Sequence, residues 1–287
     1  GDAIVFACPG MRNTTQRHAA TLLCSTDGQA LQARCQGHTV QAPALLIAPM
    51  ACKTVDALDR PLLLIDLEPG HPHYRHFQAL AAPGVQALQG APCAALQDLG
   101  RAFAAGRLQG QAVDAQVREA VAATVHQLPQ PKPLDPRVRR LMCLLDEDPG
   151  AELERLAPLL GLSAHHASRL FHQGLGLPLR RYALSIKIRA AASFMGSGLA
   201  LTQIAQAAGF VDSAHFAKVW AQNYGAAPSR FFDTASTHID QTDQPDWLLW
   251  YLAQRDRDLP PPAPGAQTPW VHRRRTPRTP RLRTAAP

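Results

Sequence analysis

Two glycines, Gly161 and Gly209, fall at matching points of two similar stretches, and this repetition constrains the fold more than any other feature of the chain. In "ELERLAPLLGLSAHHASRLF", Leu153, Leu156, Ala157 and Leu160 share one helical face. Gly161 supplies the left-handed backbone of a tight turn, and Ser163 stands as N-cap of a helix over 164–172. In "TQIAQAAGFVDSAHFAKVWAQNYG", Ile204, Ala205 and Ala208 form the stripe, Gly209 turns, Phe210 fills the corner and Asp212 caps a helix running to Tyr224. Phe216, Val219 and Trp220 face inward. Helix, glycine turn and capped helix is the grammar of the helix-turn-helix, although one such unit alone is shared with many helical hairpins. Residues 137–232 read as all helix.

"PLRRYALSIKIRAAASFM" joins the two units, with Leu179, Tyr182, Ala183, Ile186, Ala190 and Phe194 at helical spacing. A continuous helix of that length spans about 27 Å. One turn of B-DNA is about 34 Å, so such an axle holds two helices in successive major grooves on one face. Arg180, Arg181, Lys187 and Arg189 supply cations for phosphate contact.

Residues 137–232 resemble the DNA-binding domain of the AraC/XylS family of bacterial transcription regulators. The resemblance rests on "LGLSAHHASRLF", on "PLRRYALSIKIRAA", and above all on "IAQAAGFVDSAHFAKVWAQNYGAAPSRFF", which carries the family's Ile-Ala, Gly-Phe, aromatic and Gly-x-x-Pro pattern. It implies that the first reading helix presents His165, Ser168 and Arg169 to DNA, and the second Ser213, Ala214, Ala217 and Lys218. Arg169 and Lys218 are donors for guanine O6/N7 or for phosphate. The small residues of the second helix point to methyl contacts or DNA shape there. Two departures stand out: Pro158 inside the first helix, and Trp220 where Phe is commoner.

Upstream, the pattern is different. "ATLLCS" and "ALQARC" read as strands joined by "TDGQ", with Asp27-Gly28 as a hairpin turn, and "ALLIAP" and "PLLLIDLEPG" are further strands. Asp66 and Glu68 alternate on the last of these and read as a strand edge entering solvent. From about residue 94 the pattern turns helical, and Val113, Val117, Val121 and Val125 make one apolar face. "PQPKPLDP" at 129–136 is a proline-rich linker. The expected class is α+β: a small β-rich domain with a helical hairpin over 1–128, the linker at 129–136, a double helix-turn-helix at 137–232, and a largely disordered Pro/Arg-rich tail at 233–287. The resemblance implies a cupin-like barrel in the first domain, where a small effector binds and a homodimer forms. It also implies RNA polymerase as a partner and activation as the outcome.

Other features narrow the chemistry. Six cysteines are scattered without a C-x-x-C pair, which suits reduced thiols and no metal site. His71, His73 and His76 cluster in "HPHYRHF" and read as a loop or helix start rather than as metal ligands. No nucleophile motif, phosphate loop or acid/base carboxylate pair is present, so neither enzymatic activity nor a cofactor is expected. Net charge is +7; residues 1–133 carry 10 basic and 9 acidic side chains, whereas 134–232 carry 11 and 7. That excess in the second half fits a polyanionic partner. No apolar run approaches a membrane span, and the start shows no basic patch followed by an apolar core, so a cytoplasmic location away from membranes is expected. Two rivals remain open: an enzyme fused to a DNA-binding domain, and a regulator acting through protein contacts alone.

Overall fold

The computed structural model describes residues 3–108, 110–195, 199–232 and 238–242. Two antiparallel sheets make the N-terminal part. The larger has the order β10 (His238–Thr242), β1 (Ala3–Cys8), β8 (Leu62–Leu67), β3 (Ala20–Ser25), β6 (Ala44–Ile47), β9 (Val85–Ala87). The smaller runs β2 (Met11–Thr15), β7 (Lys53–Ala57), β4 (Leu31–Cys35), β5 (His38–Ala42).

The continuous apolar runs of β3, β6 and β8 follow from burial of the larger sheet on both faces. Because side chains alternate along a strand, Leu62 and Leu64 join Ile4, Phe6, Leu23 and Leu45 in the core shared with Leu31, Ala33 and Val55 of the smaller sheet. Leu63, Ile65 and Leu67 join Val5, Leu22 and Leu46 in a second core, under α2 (Ala91–Ala104) and α3 (Gln111–Val125). Gly100 lets α2 lie close to the sheet: a Cβ there would sit 2.5 Å from Thr26 Cγ2 and 3.0 Å from Leu63 Cβ.

Three local expectations are corrected by long-range pairing. Asp27-Gly28 does form a turn, with Asp27 Oδ1 accepting from Gln29 N–H at 3.0 Å. It is not a hairpin, because β3 and β4 belong to different sheets. The hairpin is instead β4–β5, closed by Gln36 and Gly37 with φ of 48° and 81°. Asp66 and Glu68 do not enter solvent: β8 lies between β1 and β3, and the two carboxylates are 1% and 5% exposed. Residues 238–242, expected within a disordered tail, pair along β1 from Ala3↔Thr242 to Ala7↔His238. The open edge of β1 offers unpaired backbone donors and acceptors for such a strand. The Pro/Arg-rich remainder of the tail lies outside the described residues.

The C-terminal part comprises α4 (Pro136–Glu147), α5 (Leu153–Leu156), a 3₁₀ turn (Ala157–Leu160), α6 (Ala164–Leu175), α7 (Leu179–Ala192), α8 (Leu201–Ala207), α9 (Ser213–Tyr224) and α10 (Ser229–Phe232). Pro158 explains the split between α5 and the 3₁₀ turn, since it has no N–H to continue the α ladder. Trp220 is fully buried in an aromatic cluster with Phe216, Tyr224, Phe231 and Phe232 at ring distances of 5.5, 4.5, 5.6 and 5.1 Å. The indole thus anchors the closing Phe-Phe pair of the domain. Neither half stands alone: one apolar core runs from α2 and α3 into α4, α6 and α7, and the other from between the sheets into α8 and α9. No described helix is long and apolar enough to cross a membrane.

Candidate DNA-reading surface

Both expected caps form. Ser163 Oγ accepts from His166 N–H at 3.3 Å at the start of α6, and Asp212 Oδ1 accepts from His215 N–H at 2.6 Å at the start of α9. Each helix ends on a left-handed glycine, Gly176 with φ 68° and Gly225 with φ 75°. The two second helices of the repeat are therefore locally specified at both ends.

Their inner faces are pinned by Ala167, Phe171 and Leu175 in α6 and by Phe216, Val219 and Trp220 in α9. What remains outward on α6 is His165, Ser168 and Arg169. On α9, Ala214 and Lys218 are exposed, whereas Ser213 and Ala217 are half-buried. Continuing each face at helical spacing reaches His172 and Gln173 on α6, and His215 and Gln222 on α9, all exposed. The sequence reading missed these four; His172, Gln173 and Gln222 lie one turn beyond the residues it named, and His215 lies among them, three residues before Lys218. The His215 ring stands edge-on to Phe210 at 5.6 Å, which ties its direction to the turn.

The connector α7 divides its cations. Arg180 is exposed, and Arg181 and Lys187 are half-buried. Lys187 lies beside the second turn, its Cε 3.7 Å from where a Cβ on Gly209 would stand. Arg189 is buried at 5% exposure and faces Asp146 at 3.8 Å, and Asp146 also accepts from Tyr182 O–H at 3.0 Å. It braces α7 against α4 and is withdrawn from any phosphate.

A second polar group lies between the sheets and α9. Arg17 is ion-paired with Asp66, and its guanidinium carbon sits 5.1 Å over the ring of Tyr224, the last residue of α9. Thr21 O–H donates to Asp66 at 2.6 Å, while Arg17 Nε is buried without a hydrogen-bond partner. Lys53 is 4% exposed, and burial, with Arg17 adding to it, pushes its amine down to about 7 against the pull of Asp66. His18 donates its backbone N–H to Asn223 Oδ1 at 3.3 Å, and burial with Arg181 nearby lowers its imidazole to about 4.

His71, His73 and His76 follow one another with tilted rings at 5.6 and 5.3 Å, the last of them inside the short helix α1 (Tyr74–Phe77). Among the described residues no group of His, Cys, Asp and Glu is arranged to hold a metal ion.

Residues 156–234 match the family model of a helix-turn-helix domain. Comparison with curated proteins gives no match. Among solved structures, ToxT from Vibrio cholerae O395 is similar at a TM-score of 0.54 and 14% identity, over 80% of this chain and 96% of that one. A singly substituted ToxT from V. cholerae strain SCE256, in its apo form, gives 0.56 and 12%, over 82% and 98%. Wild-type ToxT from the same strain, bound to an unsaturated fatty acid, gives 0.51 and 12%, over 80% and 94%. At these identities the likeness is one of fold, and it extends across both the β-rich and the helical parts.

Proposed function

We propose that this chain is a DNA-binding transcription regulator of the AraC/XylS type, in which α6 and α9 read two successive major grooves of an operator. The observation that carries the proposal is the pair of capped, glycine-ended helices, each pinned on one side and open on the other. Arg169 and Lys218 are the cations of those open faces, and His165, Ser168, Ala214 and the half-buried Ser213 and Ala217 complete the contact set. Arg180, Arg181 and Lys187 hold phosphates and set register. The division of labour is residues 1–128 for effector sensing and dimerisation, 137–232 for DNA, with 129–136 as the joint. The protein acts in the cytoplasm on promoter DNA and recruits RNA polymerase as an activator.

The effector is a small carboxylic acid held between the sheets and α9. Arg17 and Lys53 support this reading: Arg17 is buried against Asp66 with an unpartnered Nε–H, and Lys53 is a buried amine that a carboxylate would hold in its charged form. A carboxylate there gains charge-assisted hydrogen bonds in a region shielded from water. The similar ToxT structure with a bound unsaturated fatty acid fits the same class of ligand.

The test is affinity for the protein's own upstream DNA in excess unrelated competitor at physiological salt. Preferential binding that weakens by about 1–3 kcal/mol in Arg169→Ala or Lys218→Ala supports the two readers. A folded protein without preference, with or without acids present, points to the protein-contact rival.

A further inference from the structure

Each reading helix ends against the N-terminal domain in the same way. At the end of α6, Arg75 Nε–H donates to Gly174 C=O at 2.9 Å, and Gln78 Nε2–H donates to Leu175 C=O. At the end of α9, Gln16 N–H donates to Gln222 C=O at 3.3 Å, and Asn13 Nδ2–H donates to Tyr224 C=O at 3.1 Å. These carbonyls belong to the last turn of a helix, where no further turn supplies donors. The closing glycines take part as well. A Cβ on Gly176 would lie 2.6 Å from Gln78 Nε2, and one on Gly225 would lie 2.7 Å from Asn13 Cβ. Both glycines thus serve a left-handed turn and a close approach at once.

We propose that Asn13 and Gln78 are positioning residues for DNA recognition: through these two glycine-ended helix termini, the N-terminal domain sets the separation of α6 and α9 and so the operator spacing the protein accepts. The proposal rests on α6 and α9 being the readers. The helix α7 joins the two units along one line and leaves rotation about that line to other contacts. The grips supply them, one from β2 and one from α1 and its C-cap Gln78, both in the N-terminal domain. A rigid pair of readers tolerates little change in spacing, because each added base pair both shifts and rotates the second groove relative to the first.

The experiment uses the full chain and the site it protects in its own upstream DNA. Operators with one or two base pairs inserted between the two protected major-groove segments are compared with the parent. The wild-type protein is expected to lose about tenfold or more in affinity on a single insertion. Asn13→Ala/Gln78→Ala is expected to lose less than about threefold on that insertion, while its affinity for the parent site stays within about threefold of wild type. Asn13→Asp keeps the side-chain shape but turns an acceptor toward the Tyr224 carbonyl, so it is expected to broaden spacing tolerance in the same direction. A spacing profile that overlies wild type in both variants overturns the proposal and leaves α7 alone as the ruler. An equal loss on every spacing, with unchanged profile, also overturns it, as a purely structural role. Absence of any protected site in the wild type removes the operator reading, and the grips' part in it.

Discussion

Lys53→Met is expected to stabilise the protein at neutral pH while removing its response to acids. The side chain is 4% exposed, and burial lowers its amine from 10.5 to about 7. At about 1.4 kcal/mol per pH unit, that drop corresponds to an upper limit of about 5 kcal/mol of destabilisation at pH 7 and below. The sign follows from proton uptake: between pH 7 and 10.5 the unfolded chain binds a proton that the folded chain releases, so wild-type stability rises through that window. Methionine fills a similar volume without charge, but it forgoes the attraction of Asp66 and leaves Arg17 and Asp66 to pair alone. Replacement of buried charge by well-packed apolar groups has gained about 1–4 kcal/mol elsewhere, and about 2 kcal/mol is expected here. Urea unfolding at pH 7, 8 and 9 measures it, with the gap between variant and wild type narrowing as pH rises. Destabilisation by more than about 1 kcal/mol at pH 7 refutes the reasoning, as does a gap that stays constant with pH. The same variant tests the proposed acid site: an unsaturated fatty acid should raise the melting temperature of wild type and not of Lys53→Met.

Four further outcomes are expected. Arg17→Ala strands Asp66 in the core and should cost about 3–5 kcal/mol in denaturant unfolding. Since burial lowers His18 from 6.5 to about 4, the unfolded chain takes up a proton first on acidification; stability should fall from pH 6.5 toward 4, and His18→Gln should flatten that fall. Trp220→Ala removes the centre of the aromatic cluster and should cost about 3–5 kcal/mol, read by the same titration. Arg180→Ala should weaken binding to all DNA sequences alike and lower the salt dependence of affinity by about one counterion, measured by titration at several salt concentrations.

The helix-turn-helix pair was legible because its determinants are local. Ser163, Gly161, Asp212 and Gly225 act within a few residues of themselves, and the stripes of α6 and α9 show at a period of about 3.6. Arg169 and Lys218 came from the family resemblance, and their exposure agrees with the same periodicity. The β-rich part was legible only as strands. Leu62, Leu63 and Leu64 announce a strand buried on both faces, yet nothing near them says which strands flank it. Hence Asp27-Gly28, a good hairpin signal by itself, turned out to pass between sheets, while Gln36-Gly37, a poorer one, closed the hairpin.

Charges were the hardest to place. Asp66 and Glu68 alternate like a solvent edge, and Arg189 sits among cations that look alike in sequence. Asp66 is buried because β1 and β3 flank β8, and Arg189 because α4 brings Asp146 to it. Periodicity and caps are properties of a few consecutive residues, so the chain alone decided that two capped helices would face outward. Which charges lie inside, and which carbonyls of α6 and α9 meet Asn13 and Gln78, depend on segments far apart along the chain. Only the assembled sheets and helices bring those segments together, because their pairing energy belongs to neither segment alone.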